Sequence, residues 1–124
     1  SYLIGQLKEL IPLEMGKPYQ WGATGPYSYD CSGLVYTLYG KLGIQLPRVS
    51  RDQAKAGTYV PRESLEYGDL VFFAADRKTV NHVGIYVGNG EFVHAPSTGD
   101  VVKISSLASG YYSNTYFTAR RVIR

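Results

Sequence analysis

One cysteine, Cys31, and two histidines, His82 and His94, are the residues in this sequence best able to carry covalent chemistry. Cys31 directly follows Asp30, and an apolar stripe (Leu34, Val35, Leu38, Tyr39, Leu42) follows at helical spacing before Gly43. This pattern predicts a helix with Asp30 as N-cap and Gly43 as its stop. Cys31 then sits where the free first-turn N–H groups carry partial positive charge, which favours a thiolate and predicts a lowered thiol pKa. A small buried core residue is the plainer reading of a lone cysteine.

The two histidines flank Gly88-Asn89-Gly90, a turn signal between alternating apolar runs. With all three residues in the loop, Val87 pairs with Glu91, Tyr86 with Phe92, Ile85 with Val93 and Gly84 with His94. His82, Gly84, Tyr86, Phe92 and His94 then share one face, and Val83, Ile85, Val93 and Ala95 share an apolar one. The imidazoles become diagonal neighbours, about 6–8 Å apart at the backbone, and Gly84 leaves room for them. A two-residue Asn89-Gly90 turn would place His94 opposite Ile85 and separate the pair. We adopt the three-residue register. A cysteine nucleophile needs a base, and the base needs an orienting group. Cys31, His82 and His94 supply these, with a neutral His94 orienting the base. A zinc site would use the same residues, but the close-spaced ligand pairs typical of such sites are missing; no metal or other cofactor is expected.

The elements that must position these residues are legible in outline. Leu3, Ile4, Leu7, Leu10 and Ile11 predict a first helix that Pro12 ends or kinks. A glycine- and proline-rich loop follows. Ser50 and Gln53 have capping-box spacing, predicting a short helix closed by Gly57. From residue 68 the period becomes two, predicting strands at Asp69–Phe73, His82–Val87, Glu91–Ala95, Val101–Ile104 and Tyr116–Ile123. Helices first and strands afterwards argue for an α+β fold with an antiparallel sheet.

The bulk properties bound the alternatives. The 124 residues fit one domain, and 44% are hydrophobic, enough for one core without disulfides. The formal net charge is +3. The basic residues are scattered, with no stripe of interleaved aromatics, so nucleic-acid binding is disfavoured. A diffuse positive field suits an anionic polymer such as a bacterial wall. No apolar run approaches the ~18–20 residues of a membrane span. No signal peptide is visible, and the start directly in an amphipathic segment suggests a single domain, 1–124, excised from a larger protein.

Several stretches together resemble the NlpC/P60 family of cell-wall cysteine peptidases: Gly16-Lys-Pro-Tyr-Gln-Trp-Gly22, Asp30-Cys-Ser-Gly-Leu-Val35, Leu46-Pro-Arg-Val-Ser50 with Gln53, Gly68-Asp-Leu-Val-Phe-Phe73, and His82-Val-Gly-Ile-Tyr-Val-Gly88 followed by Phe92-Val-His-Ala95. They occur in family order across most of residues 12–105. The resemblance implies a papain-like fold, with the cysteine helix packed on an antiparallel sheet. It implies Cys31 as nucleophile, His82 as base and His94 as the third polar residue. It further implies cleavage of the γ-D-glutamyl–diamino acid bond (meso-diaminopimelate or L-lysine) of peptidoglycan stem peptides, outside the cell or at the wall. A wall-binding or second catalytic domain is expected elsewhere in the full-length protein. An amidase or acyltransferase on the same fold, or an inactive wall-binding module, are the rival readings.

The resemblance also implies a groove lined by Tyr19, Asp30, Ser32, Arg48 and Ser50. Tyr19 and the Cys31 N–H would serve an oxyanion, and Arg48 a stem-peptide carboxylate. Asp30 has a plainer use as helix cap and Ser50 as half of a capping box. Trp21 reads as packing, and Asp69 as structural.

Overall fold

The computed structural model describes residues 1–124 as a six-stranded antiparallel sheet with helices packed mainly on one face. In chain order the elements are α1 (Tyr2–Glu14), α2 (Cys31–Lys41), α3 (Ser50–Gln53), β1 (Thr58–Tyr59), a 3₁₀ turn at Arg62–Ser64, β2 (Leu70–Phe73), β3 (His82–Gly88), β4 (Glu91–His94), β5 (Lys103–Ser106), α4 (Gly110–Thr115) and β6 (Tyr116–Arg121). The strand order across the sheet is β1-β6-β2-β3-β4-β5.

Alternation along the strands builds two cores. Leu70, Phe72, Val83, Ile85, Val93 and Ala95 point to one face and pack on Leu34, Val35, Leu38 and Tyr39 of α2, with α1 behind. Val71, Phe73, Phe92 and Ala119 point to the other, where Val60, Leu107 and Tyr112 cover them. The first face holds α2 against the sheet, and with it the position of Cys31.

Three expectations are corrected. Pro12 does not end α1, which continues to Glu14. Ser50 and Gln53 form no capping box: Val49 is the N-cap and offers no side-chain bond. Gln53 is fully buried, and its amide donates to the Pro47 and Ser32 carbonyls at 2.8 and 3.2 Å, tying the loop before α3 to the start of α2. The strand expected from Val101, β5, begins at Lys103. Helix α4 and strand β1 had no clear sequence signal, and α4 interrupts the run of strands.

The β3–β4 hairpin combines features of both registers considered. Asn89 and Gly90 occupy the turn with φ of 55° and 73°, and Gly88 pairs with Glu91. Val87 is left without a partner in a bulge, so Tyr86 still faces Phe92 and Ile85 faces Val93. The bulge restores the register that keeps the histidines together. Asp69 is buried and receives Nε and an outer nitrogen of Arg121, each at 2.8 Å, a structural tie between β2 and β6.

Candidate active site

Asp30 organises the start of α2. Its Oδ1 accepts from the Gly33 N–H at 2.7 Å, capping the helix. Its Oδ2 accepts from the Gly22 N–H at 2.9 Å, pinning the preceding loop. Arg48 spans both oxygens, at 3.1 and 2.8 Å, and also donates to the Ser32 hydroxyl at 2.8 Å. Burial raises the Asp30 pKa, but Arg48 and the two amides outweigh burial and hold it below the usual value. The carboxylate therefore has little capacity left for a ligand. Gly33 is required here, because a Cβ would lie 2.1 Å from the Ala23 carbonyl oxygen.

Cys31 is a free, part-buried thiol at the first position of α2. Its pKa is raised, against the expectation. Burial and then the Asp30 charge push it up, outweighing the N–H groups of Val83, Ser32 and Cys31 itself that favour the thiolate. The Val83 contact brings the sulfur to the start of β3, one residue beyond His82.

The imidazoles form a chain on the sheet face away from α2. His82 Nε2 lies 2.7 Å from His94 Nδ1, and His94 Nε2 lies 2.8 Å from the Ser105 hydroxyl. Phe73, Phe92 and Tyr112 surround them, with the Phe92 ring 4.4 Å and the Tyr112 ring 4.9 Å from the His94 ring. Burial pushes the His82 pKa down to about 4. Burial, then His82 and Lys103, push that of His94 down to about 3, with Asp100 opposing. Both rings are neutral near pH 7. Gly84 makes room for the Phe92 ring, 2.5 Å from where a Cβ would stand, rather than directly for an imidazole.

Two separate lobes share one lining residue, Asn81. One, about 410 Å³, is lined by Cys31 with Tyr19, Trp21, Asp30, Ser32, Arg48 and Ser50. The other, about 300 Å³, is lined by His82 with Pro96, Ser97, Tyr111 and Tyr112. All five groove residues expected from the sequence line the cysteine lobe. Burial, and then the charges of Cys31 and Asp30, raise the Tyr19 pKa against Arg48, so its phenol stays a donor. Trp21 does not pack: it is 84% exposed at the rim. No group of three or more His, Cys, Asp or Glu residues is arranged to hold a metal ion.

Sequence reasoning missed Ser105, Asn81, Tyr111 and Tyr112. Ser105 lay one residue beyond the expected strand. Asn81 borders His82 and was readable as a neighbour. Tyr111 and Tyr112 reach the site through α4, whose sequence has no apolar stripe.

A thiol at a helix start, touched by the Val83 amide one residue after an imidazole chain on an antiparallel sheet, fits a papain-like α+β domain with the layout of a cysteine hydrolase. The chain belongs to the NlpC/P60 family, which residues 16–121 match. It is 44% identical over 115 residues to the murein DD-endopeptidase MepH of Escherichia coli K12, covering 89% of this chain and 42% of that protein. It is 39% identical over 109 residues to the gamma-D-glutamyl-L-lysine dipeptidyl-peptidase of Bacillus subtilis 168, covering 86% and 37% respectively. The crystal structure of an NlpC/P60 family protein from Bacillus cereus ATCC 10987 superposes with a TM-score of 0.91 at 38% identity, over 95% of this chain and 39% of that one. The chain thus spans less than half the length of these relatives. None of its helices is long and apolar enough to cross a membrane.

Proposed function

We propose that this chain is the catalytic domain of a cysteine endopeptidase that hydrolyses peptidoglycan stem peptides at the γ-D-glutamyl–diamino acid bond, acting outside the cell or at the wall. A further wall-binding or catalytic domain would lie elsewhere in the same protein. The observation that carries this reading is the hydrogen-bonded run His82–His94–Ser105 beginning one residue from the amide that touches the Cys31 sulfur. The relatives' names favour a wall peptide as substrate, though one names a DD-endopeptidase and the other a gamma-D-glutamyl-L-lysine dipeptidyl-peptidase.

A raised thiol and a lowered imidazole favour a neutral resting pair over a thiolate–imidazolium pair. In the tautomer this mechanism uses, His82 keeps its Nδ1 lone pair free. Its Nε2–H donates to His94 Nδ1, and the His94 Nε2–H donates to Ser105. Nδ1 takes the thiol proton as sulfur attacks the amide carbonyl. The oxyanion meets the Tyr19 hydroxyl and the Cys31 N–H. His82 then protonates the departing amine, and a thioester remains. Water, giving its proton to the same nitrogen, releases the acid and the thiol.

Arg48 fits a positioning role better than a ligand role, since its donors already serve Asp30 and Ser32. Defined stem peptides of both diamino-acid types, digested with this domain and weighed by mass spectrometry, test the reading. Products ending in γ-D-glutamate with a free diamino acid amine are expected. Cleavage of D-alanyl cross-links alone would overturn the bond assignment, and products of sugar–peptide cleavage would favour an amidase.

A further inference from the structure

Beside the cysteine lobe lies a second groove whose walls carry cations. Arg51 on α3, Lys55 just after it, Lys78 in the β2–β3 connection and Arg120 on β6 line a space of about 460 Å³. No acidic residue lines this groove, and none of the four cations takes part in an ion pair. They are far apart in sequence, which is why the chain shows no basic stripe. The fold gathers them. Unpaired like charges around one concavity repel each other, and an anionic ligand relieves that repulsion.

The two grooves are joined through adjacent residues of the chain. Ser50 and Asn81 line the cysteine lobe, while their chain neighbours Arg51 and Val80 line the basic groove. A register shift between Phe72 and Phe73 leaves Phe117 without a strand partner, and its ring is 41% exposed beside the cations. Arg120 is held in place by its Nε, which donates to the Ala54 carbonyl at 2.7 Å.

The pattern of donors indicates the kind of anion. The cations come from three separate segments and line an open trough, which suits charges repeated along a flexible chain better than one compact anion. Phe117 is the only aromatic lining it, so it lacks the run of stacking platforms that single-stranded nucleic acid uses. We propose that this groove binds a flexible phosphodiester polymer of the bacterial wall, bringing the neighbouring cysteine lobe to polymer-bearing peptidoglycan. The choice of a wall polymer rests on the proposed wall function; the binding itself does not require hydrolysis.

The test uses the Cys31→Ala protein, which removes hydrolysis from the readout, and an end-labelled synthetic poly(glycerol phosphate) oligomer followed by fluorescence anisotropy. Saturable binding is expected. Adding Lys55→Glu and Lys78→Glu is expected to raise Kd at least tenfold with an unchanged thermal midpoint, since both side chains are exposed. Lys55→Gln with Lys78→Gln should give an intermediate loss. A fourfold rise in salt should weaken binding roughly 50-fold if four phosphates are neutralised. Equal binding by the charge-reversed protein would overturn the proposal. So would tighter binding of a single-stranded DNA oligomer with the same number of phosphates. Failure of the wild-type domain to cleave muropeptides would instead count against the proposed function and leave the binding result standing.

Discussion

His94 Nδ1 lies 2.7 Å from Nε2 of His82, and its other ring nitrogen lies 2.8 Å from the Ser105 hydroxyl. A fully buried imidazole is thereby held at both ends. Ser105→Ala leaves the His94 Nε2 without this partner. We expect kcat/KM to fall about three- to tenfold, the worth of one hydrogen bond, with KM little changed. The acid limb of the pH–rate profile should shift as the His94 ring loosens. An unchanged kcat and pH profile would show that Ser105 does not position the histidines.

Cys31→Ala should abolish muropeptide cleavage without unfolding the domain. His82→Ala should lower kcat by roughly 10²–10⁴-fold, the usual contribution of a general base. Product mass analysis and circular dichroism check both. Full cleavage by Cys31→Ala would refute the nucleophile assignment.

The pH behaviour follows from the shift directions. His82 is pushed down to about 4 and the Cys31 thiol up, so the acid limb of kcat/KM should lie well below the usual imidazole value near 6.5. Alkylation of Cys31 by iodoacetamide at pH 7 should be slower than that of free cysteine and should accelerate only in alkali. Rapid labelling at pH 7 would instead indicate a thiolate–imidazolium pair.

Stability has its own pH window. The folded-state values of His82 and His94, about 4 and about 3, lie below the unfolded value near 6.5. Between these limits the unfolded chain binds more protons, so stability rises with pH there. The contribution is complete above about pH 6.5 and is lost as pH falls toward 4, by at most about 1.4 kcal/mol per unit for each imidazole. Urea unfolding from pH 7 to pH 4 measures this, and a His82→Ala, His94→Ala double variant should show a flatter dependence.

Asp30 and Trp21 should behave as opposites. Asp30→Ala removes a helix cap and a buried partner of Arg48, and should destabilise the domain by about 2–4 kcal/mol, seen as a lower Tm. Trp21→Ala should leave Tm unchanged, because the ring is exposed. If the ring stacks on substrate, KM should rise about three- to tenfold, the range of an aromatic contact. A lowered Tm with unchanged KM would restore the packing role.

The fold class, α2 with its Asp30 cap and the shared face of the histidines were readable because each rests on a local rule: capping chemistry, helical spacing or strand alternation. Features set by tertiary packing were not. Gln53 looked like half of a capping box because spacing cannot tell a bond within α3 from bonds to Ser32 and Pro47. Trp21 looked like core because an exposed tryptophan is uncommon, yet the loop pinned by Asp30 carries it to the rim. The rise of the Cys31 pKa was hidden for a related reason. A helix start favours the thiolate locally, while burial and the Asp30 charge act through the completed fold.

The unpaired Val87 has a consequence for how this hairpin tolerates change. The surplus residue separates the tip from the base, as slack in a belt isolates one pulley from the next. Without the bulge, a regular ladder from the Asn89-Gly90 corner would set Val87 opposite Phe92 and Ile85 opposite His94, turning His82 and His94 to opposite sides of the ribbon. Taking Gly88 into the corner, with Val87 then opposite Glu91, leaves the two rings side by side, so tip length is free to drift while the pairing of Tyr86 with Phe92 is not.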